Sequence, residues 1–334
     1  MHRPFPTFLF GSALMTAAAV LLATAHAQPA AIATAAHPYV LIEKTVPRSG
    51  TPWQLHLVQT RDEIYVPIGV RKPAGNGPFP MILIGSGQGV DGMAKIEAAM
   101  GRYEELMTRL VERGYVAAFV SYRNEVPELY NEIAGAELLS DTVSGGNRRL
   151  LSVPALDSDD HISIVEHAKG LPYTDPNAIG AIGSSHSGEI IMKTTSVMNL
   201  AAGVPSEAAV LEYLAIDVSK ASRDASGSEL QLQDIEAARR LANKAVAMER
   251  IRNVNTPLLV LGRDDDHLQG TFMLLYEWLA EAGRPATWAS FDHPEHGYSL
   301  LGRPAGATSY RPDAVQEEVF DLYMAFFDEH LKQH

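Results

Sequence analysis

Ser185 lies in a run of small residues, Gly183-Ser184-Ser185-His186-Ser187-Gly188, between an apolar stretch and a helix-like one. The apolar stretch is Asn177-Ala178-Ile179-Gly180-Ala181-Ile182; the helix-like one covers 189–195. Small neighbours let a strand and the next helix close together and hold a serine hydroxyl out into a cleft, as a nucleophile requires. Ser187 departs from that pattern, because the second position after the serine ordinarily carries glycine. A serine in such a turn also has the plainer role of a helix cap, so Ser185 needs partners. Downstream, Pro257-Leu258-Leu259-Val260-Leu261 ends in Gly262-Arg263-Asp264-Asp265-Asp266-His267. Further on, Ala286-Thr287-Trp288-Ala289-Ser290-Phe291 ends in Asp292-His293-Pro294-Glu295-His296-Gly297-Tyr298. Serine, carboxylate and imidazole thus follow in order, each just beyond an apolar strand. An imidazole takes the serine proton and returns it to the leaving group, while the carboxylate holds the ring's tautomer. His296 is favoured over His293 because Gly297 permits the tight turn that aims the ring.

The tetrahedral intermediate of such chemistry needs two backbone N–H donors. One is expected from His186, at the start of its helix. The other is expected from Gly85-Ser86-Gly87-Gln88-Gly89, with Gly87 first and Gln88 second. That loop lacks the G-x-G-x-x-G spacing and a following lysine-serine pair, which argues against a phosphate cradle. His293-x-x-His296 has a two-histidine spacing on a proline-containing loop, and neither a metal nor a cofactor is expected.

These residues require a scaffold of alternating strands and helices. Strands are predicted at 80–84, 115–121, 177–183, 208–215, 257–262 and 287–291. Helices are predicted near 93–113, 158–169, 187–199, 271–282 and 313–332. Residues 53–58 and 64–70 read as an antiparallel pair before them. Between 217 and 252 lies an insert whose Ile235, Ala238, Leu241, Ala245 and Met248 recur at helical spacing. It is expected to be a partial lid over the pocket; an ordinary crossover helix with a long loop is the alternative.

From about residue 64 onward the chain resembles the dienelactone-hydrolase and prolyl-oligopeptidase-like branch of the α/β-hydrolase superfamily. The resemblance rests on several stretches besides the Ser185 turn. They are Arg71-Lys72-Pro73, Pro78-Phe79-Pro80-Met81-Ile82-Leu83-Ile84, Arg113-Gly114-Tyr115-Val116, Ser121-Tyr122-Arg123 and Asp175-Pro176-Asn177-Ala178-Ile179-Gly180. Gly262-x-x-Asp265 and His296-Gly297-Tyr298 complete it. It implies an α/β-hydrolase fold: a mostly parallel, doubly wound sheet with N-terminal antiparallel strands and a small insert before the acid-bearing strand. It also implies a triad of Ser185, Asp265 and His296, with Asp264 and Asp266 as rivals for the acid. Ser187 and the lack of a His-Gly pair after Ile84 depart from the family pattern. The activity implied is cleavage of a carboxylic ester through an acyl-enzyme. A short-peptide peptidase of prolyl-oligopeptidase type is the alternative within the fold, although the stretch before residue 64 is too short for propeller blades. A catalytically inactive binding module is the alternative outside it.

The 334 residues carry a formal net charge of −13 with no basic run, which argues against nucleic acid as a partner. There is no cysteine, which excludes disulfides, a thiol nucleophile and a lipidated N-terminal cysteine. His2 and Arg3, an apolar stretch over 8–25 and Ala25-His26-Ala27 before Gln28-Pro29 read as a cleaved signal peptide. An uncleaved membrane anchor is the alternative, since the stretch is near spanning length. The expected organisation is a leader over 1–27, an extension over 28–50 that is alanine-rich at 28–37, and a catalytic domain over 51–334. Cleavage after Ala27 removes only Arg3 among formal charges, taking the net charge from −13 to −14. The expected product is a periplasmic or secreted protein with no stable membrane association, acting on a small ester or a short peptide.

Overall fold

In a computed structural model of the protein, the structure describes residues 40–45, 52–87, 92–123, 156–227 and 229–332. The expected leader, residues 28–37 and Gln88 lie outside them. The strands of the main sheet are β1 (Val40–Thr45), β2 (Pro52–Gln59), β3 (Tyr65–Arg71), β4 (Phe79–Gly85), β5 (Val116–Val120), β6 (Thr174–Ser184) and β7 (Ala202–Ser206). Two two-residue strands, β8 (Ser222–Arg223) and β9 (Leu230–Gln231), pair with each other, and β10 (Leu258–Arg263) and β11 (Ala286–Phe291) complete the main sheet. Its order is β1-β2-β3-β5-β4-β6-β7-β10-β11. The first three strands pair antiparallel with one another and β3 antiparallel with β5, while β5, β4, β6, β7, β10 and β11 are mutually parallel. The 28–50 extension therefore supplies an edge strand.

Apolar side chains alternate across the central strands and face two cores. Ile82 and Ile84 of β4 point into one, with Leu106, Tyr323 and Phe327; Met81 and Leu83 point into the other, with Ile164 and Ile190. A parallel sheet buried on both faces reads as a near-continuous hydrophobic run for this reason. The covering helices are α1 (Gly92–Arg102), α2 (Glu104–Glu112), α3 (Asp157–Gly170), α4 (His186–Thr195), α5 (Ile235–Leu241), α6 (Lys244–Ile251), α7 (Gln269–Glu281) and α8 (Ala314–Leu331). Asp313 and Gln316 form a full capping box at the start of α8. Among the described residues no helix is long and apolar enough to cross a membrane.

The strand expected at 208–215 is instead β7 at Ala202–Ser206. Pro205 lies inside it, and proline removes a ladder donor and so disguises a strand. The apolar residues after it form turns rather than a ladder: Leu214 N–H bonds the Val210 carbonyl and Ile216 N–H that of Leu211. The helix expected over 93–113 breaks at Tyr103.

The 217–252 insert also differs from expectation. Its single helix is two, because Ala242 and Asn243 are extended and the Asn243 side chain caps the Val246 N–H. Ala238, Ala247, Met248 and Ile251 are buried in a core shared with Phe272, Leu275 and Trp278 of α7. Arg239–Glu277 and Lys244–Glu281 ion pairs tie the outer edges of the insert to the same helix. Among the described residues none from 217–252 lines the cavity over Ser185. Of the residues that suggested a lid, Ala238 and Met248 are buried in that core and Ile235 and Leu241 pack against it, while Ala245 is exposed. What the insert does reach is the acid turn: Leu232 N–H bonds the His267 carbonyl, and the Gln233 amide bonds the Asp265 carbonyl at 2.8 Å.

Candidate active site

Five adjacent parallel strands deliver their carboxyl ends to one edge of the sheet, where ligands bind in folds of this kind. From β4 come Ser86 and Gly87, from β6 Ser185, from β7 Glu207, from β10 Asp266 and from β11 His296.

Ser185 stands between β6 and α4 with φ 53° and ψ −116°, a region that residues other than glycine seldom occupy. The turn is held by its N–H on the Ser206 carbonyl, and its own carbonyl accepts from the Glu189 and Ala209 N–H groups. Gly183 is required here: a Cβ would lie 2.7 Å from the Ser187 carbonyl carbon, so strand and helix close only without one. The neighbouring hydroxyls are buried and engaged elsewhere. Ser184 donates to Glu207 at 3.2 Å, and Ser187 donates to the Ser86 carbonyl. Ser184 and Ser185 both line the cavity with His296, and of the two Ser184 is buried while Ser185 is partly exposed.

That cavity, about 710 Å³, is walled by Gly87, Tyr103, Phe119, Glu295 and Tyr298, with Arg102 at its exposed side. A Cβ on Gly87 would be 3.5 Å from Ser185 Cβ, which puts the loop after β4 directly against Ser185. The His186 ring points away, bonded through Nε2 to the buried Asp157 at 2.8 Å, while its backbone opens α4.

The carboxylate that meets the imidazole is Asp266, not the expected Asp265. His296 Nδ1 lies 2.8 Å from Asp266 Oδ2. Asp265 has φ 58°, and this left-handed turn leaves it exposed to solvent. Asp264 is engaged by the Ser290 hydroxyl. Asp266 is fully buried and also accepts from Arg263 Nε at 2.9 Å and from the Leu268 N–H at 2.8 Å. Burial opposes its charge, yet the His296 bond and the other donors hold its pKa down to about 2. Burial likewise opposes an imidazolium at His296, but the Asp266 bond and the nearby Glu207 and Asp266 charges outweigh it and raise the ring's pKa. His293, the rival imidazole, stacks on Tyr298 at 4.9 Å and bonds Asp313 at 3.0 Å, bracing the loop against α8. Gly297 adopts φ 84°, the left-handed turn anticipated beside His296.

His267 brings a third ligand-type atom to within 4.8 Å of those of Asp266 and His296. The Arg263 guanidinium, at 2.9 Å from Asp266, already supplies the positive charge there and repels a cation.

Sequence reasoning missed Glu207 and Arg263. Glu207 directly follows β7, and an acid after a strand end was the available signal. With the strand assigned to 208–215, Glu207 fell before it rather than at its carboxyl end.

No protein-family model and no curated protein matches the sequence. Solved structures do match. An acylaminoacyl peptidase from Pyrococcus horikoshii is 21% identical with a TM-score of 0.55, over 85% of this chain and 42% of its own. Esterase 2 of Thermogutta terrifontis, solved phosphoramylated by tabun, is 17% identical with a TM-score of 0.52, over 83% of this chain and 94% of its own. A Klebsiella pneumoniae protein assigned as a dienelactone hydrolase is 13% identical with a TM-score of 0.51, over 84% of this chain and 98% of its own. The chain has the α/β-hydrolase fold. It spans about two fifths of the length of the peptidase and nearly all of the two smaller proteins. In the α/β-hydrolase fold the strand-to-helix turn, the acid turn and the histidine loop occupy the chain order seen at Ser185, Asp266 and His296.

Proposed function

We propose that the protein is a serine hydrolase that cleaves a carboxylic ester through an acyl-enzyme. Ser185 is the nucleophile, His296 the base and Asp266 the acid. The observation that carries this reading is His296, bonded to the buried Asp266, lining the same cavity as a serine held at φ 53°. His296 Nε2 takes the Ser185 proton as Oγ bonds to the ester carbonyl carbon. The resulting oxyanion is met by the N–H groups of His186 and Gly87. Collapse breaks the bond to the alcohol oxygen, which leaves with the proton from His296. Water then repeats the sequence and releases the acid. We further propose that the protein is exported after cleavage behind Ala27, a reading that rests on the leader pattern alone.

A fluorophosphonate probe should label wild-type protein at Ser185, with label and turnover both lost in Ser185→Ala. Label retained in that variant, on Ser184 or Ser187, would reassign the nucleophile. The likeness to a peptidase over 85% of the chain favours a second reading, cleavage of short peptides or aminoacyl amides. Parallel assays on acyl-nitrophenyl esters and aminoacyl amides separate the two.

A further inference from the structure

Glu207 is fully buried, has φ 44° and comes from the turn after β7. Its Oε2 accepts two bonds from opposite sides of the site: the Ser184 hydroxyl at 3.2 Å and the Gly297 N–H at 2.5 Å. Ser184 precedes the nucleophile position and Gly297 follows the imidazole, so one carboxylate joins the two loops that must stay in register. Its Oε1 has no hydrogen-bond partner among the described residues, and the Arg263 Nε lies 3.9 Å from it.

The charges around the ring explain why a second carboxylate is useful. Asp266 is shared: it bonds His296 and is also paired with Arg263 at 2.9 Å. The Arg263 cation therefore offsets part of the negative charge that Asp266 offers an imidazolium. The other charged or titratable groups facing the ring are His267, with its centroid 5.5 Å away, and Glu207. Tyr298 and Asp264 stand behind the same cluster. Glu207 is the second carboxylate whose charge bears on the ring, and Arg263 stands farther from it, at 3.9 Å, than from Asp266 at 2.9 Å.

We propose that Glu207 is a positioning residue that clamps the Ser185 turn to the His296 loop and, when ionised, stabilises the His296 imidazolium. This rests on the serine-hydrolase reading for its role in turnover, but the coupling to His296 does not. Burial pushes the Glu207 carboxyl up to about 7, partly countered by His296 and the Gly297 N–H. Glu207 and His296 therefore titrate as a coupled pair, each affecting the other's ionisation.

The test is Glu207→Gln, which keeps an acceptor for Gly297 and Ser184 and removes the charge. The His296 ring is followed by NMR titration, assigned by its loss in His296→Asn, beside the pH profile of kcat/KM. The expected result is a His296 midpoint lowered by at least about 0.5 pH unit, a roughly threefold change in its protonation constant. The acid limb of kcat/KM should move the same way, with a lower plateau above neutrality. An unchanged midpoint overturns the proposal. The titration needs no turnover, so it answers even if Ser185 is not the nucleophile. Should Glu207→Gln not fold, Ser184→Ala decides: loss of one donor makes Glu207 harder to ionise and lowers the His296 midpoint by a smaller amount. No shift in that variant overturns the proposal equally.

Discussion

The turn leaving β7 and the turn leaving β10 lie side by side, and each holds one fully buried carboxylate near the His296 loop. They ionise in opposite senses. Burial raises the pKa of both, but Asp266 is driven down to about 2 while Glu207 is left at about 7. The difference lies in the donors. Asp266 receives an imidazole, a guanidinium at 2.9 Å and a backbone N–H. Glu207 receives one hydroxyl and one N–H on a single oxygen, with the guanidinium at 3.9 Å. Depth alone does not set the charge of a carboxyl group; the protein dipoles and charges that replace water do.

Replacing the fully paired, buried carboxylate should break the site. Asp266→Asn should lower kcat/KM by orders of magnitude, with about 10⁴ as an upper guide from serine-protease triads. Asp265→Asn, one residue away but in solvent, should stay within about twofold of wild type, as exposed substitutions usually do. Steady-state kinetics on one nitrophenyl ester reads both. A collapse in Asp265→Asn with a near-normal Asp266→Asn would mean that this turn rearranges during catalysis.

The same pair of turns marks how far the sequence could be read. The Ser185 turn was legible because its small residues, the apolar strand and the following helix are all local signals. His296 was legible through Gly297. The carboxylate that meets His296 was placed one residue early because Gly262-Arg263-Asp264-Asp265-Asp266 offers three aspartates, and the choice depends on a left-handed turn at Asp265 that composition does not announce. Glu207 was illegible because Pro205 masks the strand that ends beside it. The two-helix insert showed its helical period but not its partner; α7 lies later in the chain, and the apolar stripe fits a lid and a core equally.

A second measurement sharpens the contrast through stability. Glu207 is raised from 4.5 to about 7 on folding, so its carboxyl imposes nothing below pH 4.5 and an increasing cost as pH rises through 7. Asp266 is lowered from 3.8 to about 2, so its contribution is present above pH 3.8 and lost as pH falls toward 2. Relative to wild type, Glu207→Gln should therefore gain about 3 kcal/mol between pH 4.5 and 8, taking 1.36 kcal/mol per pKa unit. Asp266→Asn should instead forfeit about 2 kcal/mol above pH 4 that it does not forfeit at pH 2. Urea unfolding across pH gives both curves. Parallel curves of the same sign would show that the two carboxyl groups are not solvated differently.

A smaller loss of activity than that of Asp266→Asn is expected on the opposite side of the site, where Ser187 departs from the usual glycine. Its hydroxyl donates to the Ser86 carbonyl, and Gly85 leaves room for it: a Cβ there would lie 2.5 Å from Ser187 Oγ. In a trans peptide the carbonyl and the next N–H point in opposite directions. Fixing the Ser86 carbonyl therefore also fixes the direction of the Gly87 N–H, the expected oxyanion donor. Losing an oxyanion donor outright costs about 10² to 10³ in kcat, so loosening one should cost less, about tenfold, in Ser187→Ala. Because the donor acts on the tetrahedral oxygen more than on the bound ester, kcat should fall while KM holds. The acid and base turns are untouched by this change, so the His296 titration should keep its wild-type midpoint. An unchanged kcat with a lowered melting temperature would make Ser187 a packing residue and leave the Gly87 peptide to be held by the rest of its loop.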